Sequence, residues 1–199
     1  MSRANDPDTL EGIILAGGRS RRAGTFKPAL PIRGKAMVLT ALEGMLAVCE
    51  RVIVVGGHEH ARLSSIVSGQ ERVECIENPR HAFGMFTSVK AGIAGITARR
   101  CFVLPVDTPL VPPGVYRALA AVEAPIVVPR YCGRRGHPVL LARGVFPRLL
   151  AAPDSSSLRT FIHETGFAAL DVAAGEILMD LDTPDDIRHL TEELSGHQQ

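Results

Sequence analysis

Gly17 and Gly18 stand directly behind a short apolar run, residues 12–16, and four cations follow within a few positions: Arg19, Arg21, Arg22 and Lys27. Glycine has no Cβ to block an anion and tolerates positive φ, so a strand that runs into such a loop presents bare backbone N–H groups. Arginine adds fork-shaped donors and lysine a compact point charge. That combination holds phosphates, and a nucleoside triphosphate is the ligand it implies. A P-loop is excluded because no Gly-Lys-Ser/Thr occurs, and the dinucleotide fingerprint because the Gly-x-Gly-x-x-Gly spacing is missing.

Three further constellations could do chemistry. Asp107 follows the apolar run 101–106 and precedes Thr108-Pro109. A carboxylate at the mouth of a buried strand suits Mg²⁺, which prefers hard oxygen ligands; an Asp that merely ends the strand or caps the next turn is the other reading. Asp182 lies in Asp180-Leu181-Asp182-Thr183-Pro184-Asp185-Asp186 and is a second metal candidate, with the charged start of a helix as its other reading; that helix-start reading is the favoured one for Asp180, Asp185 and Asp186. In the segment 78–88, Gly84 permits close backbone approach, Ser88 offers a hydroxyl, and Asn78 can meet a base edge or ribose. Arg134 and Arg135 could meet an acceptor phosphate, or belong to a solvated turn, and His137 beside them reads as a packed, structural residue.

These residues need a scaffold that gathers strand ends. Apolar, β-branched runs at 12–16, 51–55, 73–76, 101–106, 126–129 and 138–142 predict strands, several of them separated by helical-period segments at 37–49, 60–67, 86–98, 113–122, 145–151, 157–164 and 184–194. That alternation predicts a three-layer α/β fold, a mostly parallel sheet with helices on both faces. Ligands of such sheets sit outside the carboxyl ends of the strands, where every polar motif above falls. The 199 residues suit a single domain over 10–194, with polar, mobile segments at 1–9 and 195–199. With 22 Lys plus Arg against 21 Asp plus Glu, the charge balance gives no case for nucleic acid or an anionic membrane. No apolar run approaches the length of a membrane span, and the polar N-terminal residues lack a signal-peptide core, so a cytoplasmic protein is expected. The four cysteines form no Cys-x-x-Cys pair, which argues against a zinc site and a disulfide framework alike.

The thirteen residues from Leu15-Ala16-Gly17-Gly18 through Ser20 and Arg22 to Lys27 resemble the Leu-Ala-Gly-Gly-x-Ser-x-Arg-Met-Gly-x-x-Lys signature of the molybdenum cofactor nucleotidylyltransferases, with Ala23 where methionine is usual. Further segments resemble the same family in the same order: Asn78 to Ser88, Asp107-Thr108-Pro109, Gly133 to Val139, and Asp180 to Asp186. The resemblance implies a nucleotide-diphospho-sugar-transferase-like fold and Mg²⁺-dependent transfer of CMP or GMP from CTP or GTP to the phosphate of a molybdopterin-type acceptor, with release of pyrophosphate. It puts Lys27 and Arg22 on the phosphates and Leu15, Ala16, Gly17, Gly18, Ser20, Asn78, Gly84 and Ser88 around the nucleotide. Asp107 and Asp182 then hold the metal, and Arg134, Arg135 and His137 face the acceptor. A molybdoenzyme that receives the product is the implied partner.

Two departures matter. Pro153-Asp154-Ser155-Ser156-Ser157-Leu158-Arg159 stands where many relatives read Gly-Asp-x-Gly-Leu-Arg, and both glycines are gone. Gly17-Gly18 resembles the guanylyl branch, while the segments around Gly84 and Gly136 resemble the cytidylyl branch, so the base stays open. A nucleotidylyltransferase for another phosphorylated acceptor, such as a sugar phosphate, shares the triphosphate half of the pattern. A non-catalytic module that delivers nucleotide or cofactor is the alternative from another class, against which a retained Asp107–Asp182 pair speaks.

Overall fold

The computed structural model describes residues 9–18, 26–183, 185, 186 and 188. Each apolar run anticipated as a strand is one: β1 (Leu10–Leu15), β4 (Arg51–Gly56), β5 (Val73–Glu77), β6 (Arg100–Pro105), β7 (Ile126–Tyr131) and β9 (Val139–Ala142). The period-two alternation of these runs decides which helices cover which face. Ile14, Val52, Val54, Phe102 and Leu104 point to one side, where α1 (Met37–Leu46), α2 (His60–Val67) and α4 (Pro113–Ala120) supply Met37, Leu42, Leu63, Tyr116 and Leu119. Ile13, Leu15, Ile53, Val55 and Val103 point to the other, against α3 (Met85–Gly95), α5 (Phe146–Ala151) and α6 (Leu158–Thr165). The result is a three-layer α/β/α fold.

Four strands escaped the sequence reading because each is short. The hairpin of β2 (Pro31–Ile32) and β3 (Lys35–Ala36) turns through Arg33 and Gly34, both at positive φ. β8 (Arg134–Arg135) folds back on β7, and β10 (Ala168–Asp171) pairs with β7 in parallel. The anticipated helices at 37–49, 86–98 and 113–122 end earlier, at Leu46, Gly95 and Ala120. The helix anticipated at 184–194 falls largely outside the described residues.

The main sheet runs β10-β7-β9-β6-β1-β4-β5, with β8 attached to β7. β6, β1, β4 and β5 are mutually parallel, and β9 runs against both β6 and β7. From β1 the chain moves outward to β4 and β5, then α3 carries it back to β6 on the opposite side of β1. The order therefore reverses between β1 and β6, and the crevice at their carboxyl ends is where such a sheet takes a ligand. At the opposite end, Arg100 donates to the carbonyls of Ala120 and Val122, and Arg143 to those of Thr97 and Ala98. There Arg100 and Arg143, which help line a second cavity, are tied to backbone. No helix among the described residues is long and apolar enough to cross a membrane.

Candidate active site

Gly17 follows β1 into the crevice and lies against Gly56 and Gly57 at the end of β4. A Cβ on Gly17 would sit 3.3 Å from the carbonyl carbon of Gly56 and from the nitrogen of Gly57, and one on Gly57 would be 2.9 Å from the Gly17 oxygen. Two strand ends thus approach closely because neither carries a side chain there. Gly18 is exposed and has open space around it. Ser20 and Arg22, expected on the phosphates, lie outside the described residues. Lys27 begins a single 3-10 turn, Lys27–Ala29, anchored by the buried neighbours Phe26 and Pro28. Its ammonium group is buried and donates to Asp107 Oδ2 at 3.0 Å and to Asp182 Oδ1 at 2.5 Å. Burial alone would lower its pKa, but the two carboxylates outweigh burial and raise it.

Asp107 leaves β6 one strand away from Gly17. Its carbonyl accepts from Leu181 N–H at 2.9 Å, which hooks the C-terminal acidic segment onto the crevice. Leu181 is buried, so its neighbours on either side face the other way, and Asp180 and Asp182 both turn toward Asp107. The result is a trio, Asp107, Asp180 and Asp182, whose oxygens lie within 4.8 Å of one another. Burial and the negative charges of Asp107 and Asp182 push the Asp180 carboxyl up, against the opposing pull of Lys27. Reading Asp180 as a helix-start residue is therefore corrected. The helix start belongs to Asp186, which accepts from Asp182 and Thr183 N–H at 2.9 and 2.7 Å while Thr183 Oγ1 accepts from Asp186 N–H. Three hard oxygen donors in so small a volume suit a divalent cation such as Mg²⁺.

Beside the trio opens a cavity of about 610 Å³. Leu15 and Pro105, the last residues of β1 and β6, reach its floor together with Phe86, Val103, Val128 and Val139. Its rim carries Arg134, Arg135, His137, Ser156, Ser157 and Arg159. Arg134 and Arg135 are exposed, and the Arg135 guanidinium lies over the Phe167 ring at 5.1 Å. Gly136 is wedged against the chain, since a Cβ there would come within 2.2 Å of the Ile177 oxygen. His137 N–H donates to that same carbonyl at 2.9 Å, while its ring nitrogen Nδ1 is buried without a partner among the described residues. Burial lowers the His137 pKa against the attraction of Asp107, so the ring is neutral near pH 7. The segment that lost its family glycines is held in place by Asp154, which pairs with Lys90 at 2.9 Å and with Arg80, and by Ser157, which caps α6 through Thr160 N–H at 3.0 Å.

Asn78 and Ser88, expected around the nucleotide, have their side chains turned to other protein groups. Both are buried, and Asn78 Nδ2 donates to Thr87 Oγ1 at 2.8 Å and to Ser88 Oγ at 2.9 Å, while its Oδ1 accepts from Arg80 N–H. Their polar atoms are spent on tying the loop after β5 to the first turn of α3. Gly84 caps that helix at φ 114°, a conformation open to glycine. Asn78→Ala is expected to cost about 2 kcal/mol, the penalty for stranding buried partners, read as a lower urea midpoint at unchanged slope. An unchanged midpoint would show that the amide does not hold the loop.

The family model of the MobA-like NTP transferase domain matches residues 12–170. The molybdenum cofactor cytidylyltransferase of Escherichia coli K12 is 28% identical over 178 residues, covering 89% of this chain and 93% of the relative. A Mycobacterium avium protein named "Probable molybdenum cofactor guanylyltransferase" is 29% identical over 198 residues, covering 94% and 98%. Among solved structures, Rv0371c of Mycobacterium tuberculosis H37Rv superimposes with a TM-score of 0.79 at 26% identity, over 92% of this chain and 98% of that one. The same mycobacterial protein is also known in complex with manganese, with a TM-score of 0.76 at 24% identity, over 94% and 100%. The architecture is the nucleotide-diphospho-sugar-transferase-like one anticipated from the motifs.

Proposed function

The chain belongs to the MobA-like NTP transferase family, and we propose that it transfers CMP or GMP from the corresponding triphosphate to the phosphate of molybdopterin or its molybdenum form. An oxygen of the acceptor phosphate attacks the α-phosphorus in line, the bond to the bridging oxygen breaks, and pyrophosphate leaves with the electron pair. Such a displacement needs positioning and charge neutralisation and no protein nucleophile. The single observation that carries the reading is the meeting of Lys27 with Asp107 and Asp182 at the strand-order reversal, beside a cavity with an apolar floor and a basic rim.

The roles divide along that geometry. Backbone N–H groups of Gly17 and Gly18 and the Lys27 ammonium take the triphosphate, with Arg22 and Ser20 added by the signature they complete. Asp107 and Asp182 would hold Mg²⁺, with Asp180 as the third carboxylate within reach. When bound, the ion supplies charge neutralisation on the triphosphate. Arg134, Arg135 and Arg159 line the cavity and would offer cations to the acceptor phosphate. Neutral His137 shapes the wall rather than moving a proton.

The test is pyrophosphate release from CTP, GTP, ATP and UTP, each with molybdopterin, with its molybdenum form and with sugar phosphates. Release is expected from CTP or GTP with a molybdopterin acceptor alone. Turnover confined to a sugar phosphate would move the acceptor assignment elsewhere, and tight triphosphate binding without turnover on any acceptor would favour a delivery module.

A further inference from the structure

We propose that Lys90 is a positioning residue for the acceptor: through Asp154 it fixes the segment 153–159 as one wall of the cavity beside the carboxylate trio. The inference rests on the reading that the acceptor enters this cavity. Lys90 lies on α3, the helix whose Met85, Phe86 and Val89 line the cavity. Its ammonium group donates to Asp154 Oδ1 at 2.9 Å and to the Ala152 carbonyl at 2.6 Å, and it lies over the Phe86 ring at 5.8 Å. One side chain thus ties the cavity floor to the segment that forms its wall. Arg80 pairs with the same carboxylate, but its side chain is 61% exposed against 17% for Lys90 and 20% for Asp154. The Lys90–Asp154 pair is therefore the less screened of the two and carries the brace.

The wall has little else to place it. Between α5 and α6 the chain forms no strand or helix, and its turn closes on one backbone bond, from Ser156 N–H to the Pro153 carbonyl at 3.0 Å. Asp154 sits inside that turn, so its pairing with Lys90 sets where the turn lies against α3. The chain then runs straight into the cap of α6, and Ser156, Ser157, Leu158 and Arg159 reach the cavity from there. A wall placed before the acceptor arrives spares binding the cost of ordering it. If the wall is in place for only about a tenth of the time, apparent acceptor affinity falls about tenfold, while the bound complex and its chemical step stay as they were.

The test is pyrophosphate release, titrated with molybdopterin at saturating triphosphate and with triphosphate at saturating molybdopterin, together with amide hydrogen exchange of the free protein. Lys90→Met should raise the acceptor KM about tenfold, with kcat and the triphosphate KM within about twofold of wild type. Amides 154–160 should exchange faster in it, with those of α3 unchanged. Lys90→Arg, which keeps the cation, should restore the acceptor KM to within about threefold. Asp154→Ala should raise it as Lys90→Met does, and the double variant no further than the larger single, since both remove one contact. An unchanged acceptor KM in folded Lys90→Met would overturn the proposal. So would a parallel rise in both KM values, or a fall in kcat at constant KM, either of which marks a merely structural lysine. If Lys90→Met does not fold, Asp154→Ala decides by the same criteria. If wild type turns over on no acceptor, the transfer reading fails and exchange alone decides the brace: unchanged exchange at 154–160 overturns it, faster exchange confined there upholds it.

Discussion

Asp107→Asn is expected to lower turnover by about 10² to 10³, the usual worth of one electrostatic stabiliser in an active site. Asparagine keeps the size and the strand-end geometry, including the backbone carbonyl that receives Leu181 N–H. What it removes is one of the negative charges that would fix the cation, together with one partner of Lys27. Asp182 still holds the ammonium group, so stability should move by no more than about 1 kcal/mol. The carboxyl of Asp180, raised by burial and by its neighbours' charges, should fall back toward the ordinary range once Asp107 is neutral. Asp180→Asn should therefore be felt as well, by about tenfold, since it is the most exposed member of the trio and the one Lys27 does not touch through any described bond. Initial rates across a Mg²⁺ titration separate the cases. A normal rate and normal Mg²⁺ dependence in Asp107→Asn, with loss of both in Asp180→Asn, would reverse the assignment of the two carboxylates.

Asp180 also shows which features a sequence displays and which it hides. Asp180-Leu181-Asp182 has the period of two that puts alternate residues on one side of an extended chain, and the apolar residue between two carboxylates carried that signal. The helix-start pattern of Thr183 to Asp186 masked it, because both patterns share the same run of acids. The strands were legible because buried runs of β-branched residues at 12–16, 51–55 and 101–106 leave few alternatives. Ala168-Ala169-Leu170-Asp171 carries no such excess and is a strand because β7 offers it an unpaired edge, a tertiary cause invisible in four residues. The protein partners of Asn78 were hidden for a related reason. An amide that could serve a base serves Thr87 and Ser88 equally well, and only the packing of α3 against the loop decides. Lys27 and Asp107, by contrast, stood out through the motifs that hold them, and 80 residues of chain separate them before they meet at 3.0 Å.

Glu11→Ala should produce the largest loss of stability, about 3 kcal/mol, with the active site untouched. Glu11 lies near the start of β1, the end of the sheet opposite the crevice, and is buried. Its Oε2 accepts from Thr97 and Ala98 N–H at 2.7 and 3.1 Å, and its Oε1 from Thr97 Oγ1 and Arg51 Nε at 3.0 and 2.9 Å. Truncation strands these donors where α3 hands over to β6, and stranded buried donors and a half-buried guanidinium together account for the magnitude. Burial works to raise the Glu11 pKa, but the hydrogen bonds from Ala98, Arg51 and Thr97 outweigh it, so the folded value lies below the unfolded one of about 4.3. A depressed carboxylate stabilises fully above the unfolded pKa and loses that contribution as pH falls through the folded one. The gap between wild type and Glu11→Ala in urea unfolding should accordingly be widest near pH 7 and narrow as pH falls below the unfolded value of about 4.3. In thermal unfolding a loss of this size corresponds to a melting temperature lower by roughly 6–12 °C for a chain of this length. A gap that stayed constant from pH 7 down to pH 3 would mean that Glu11 acts through its packing and not through its charge.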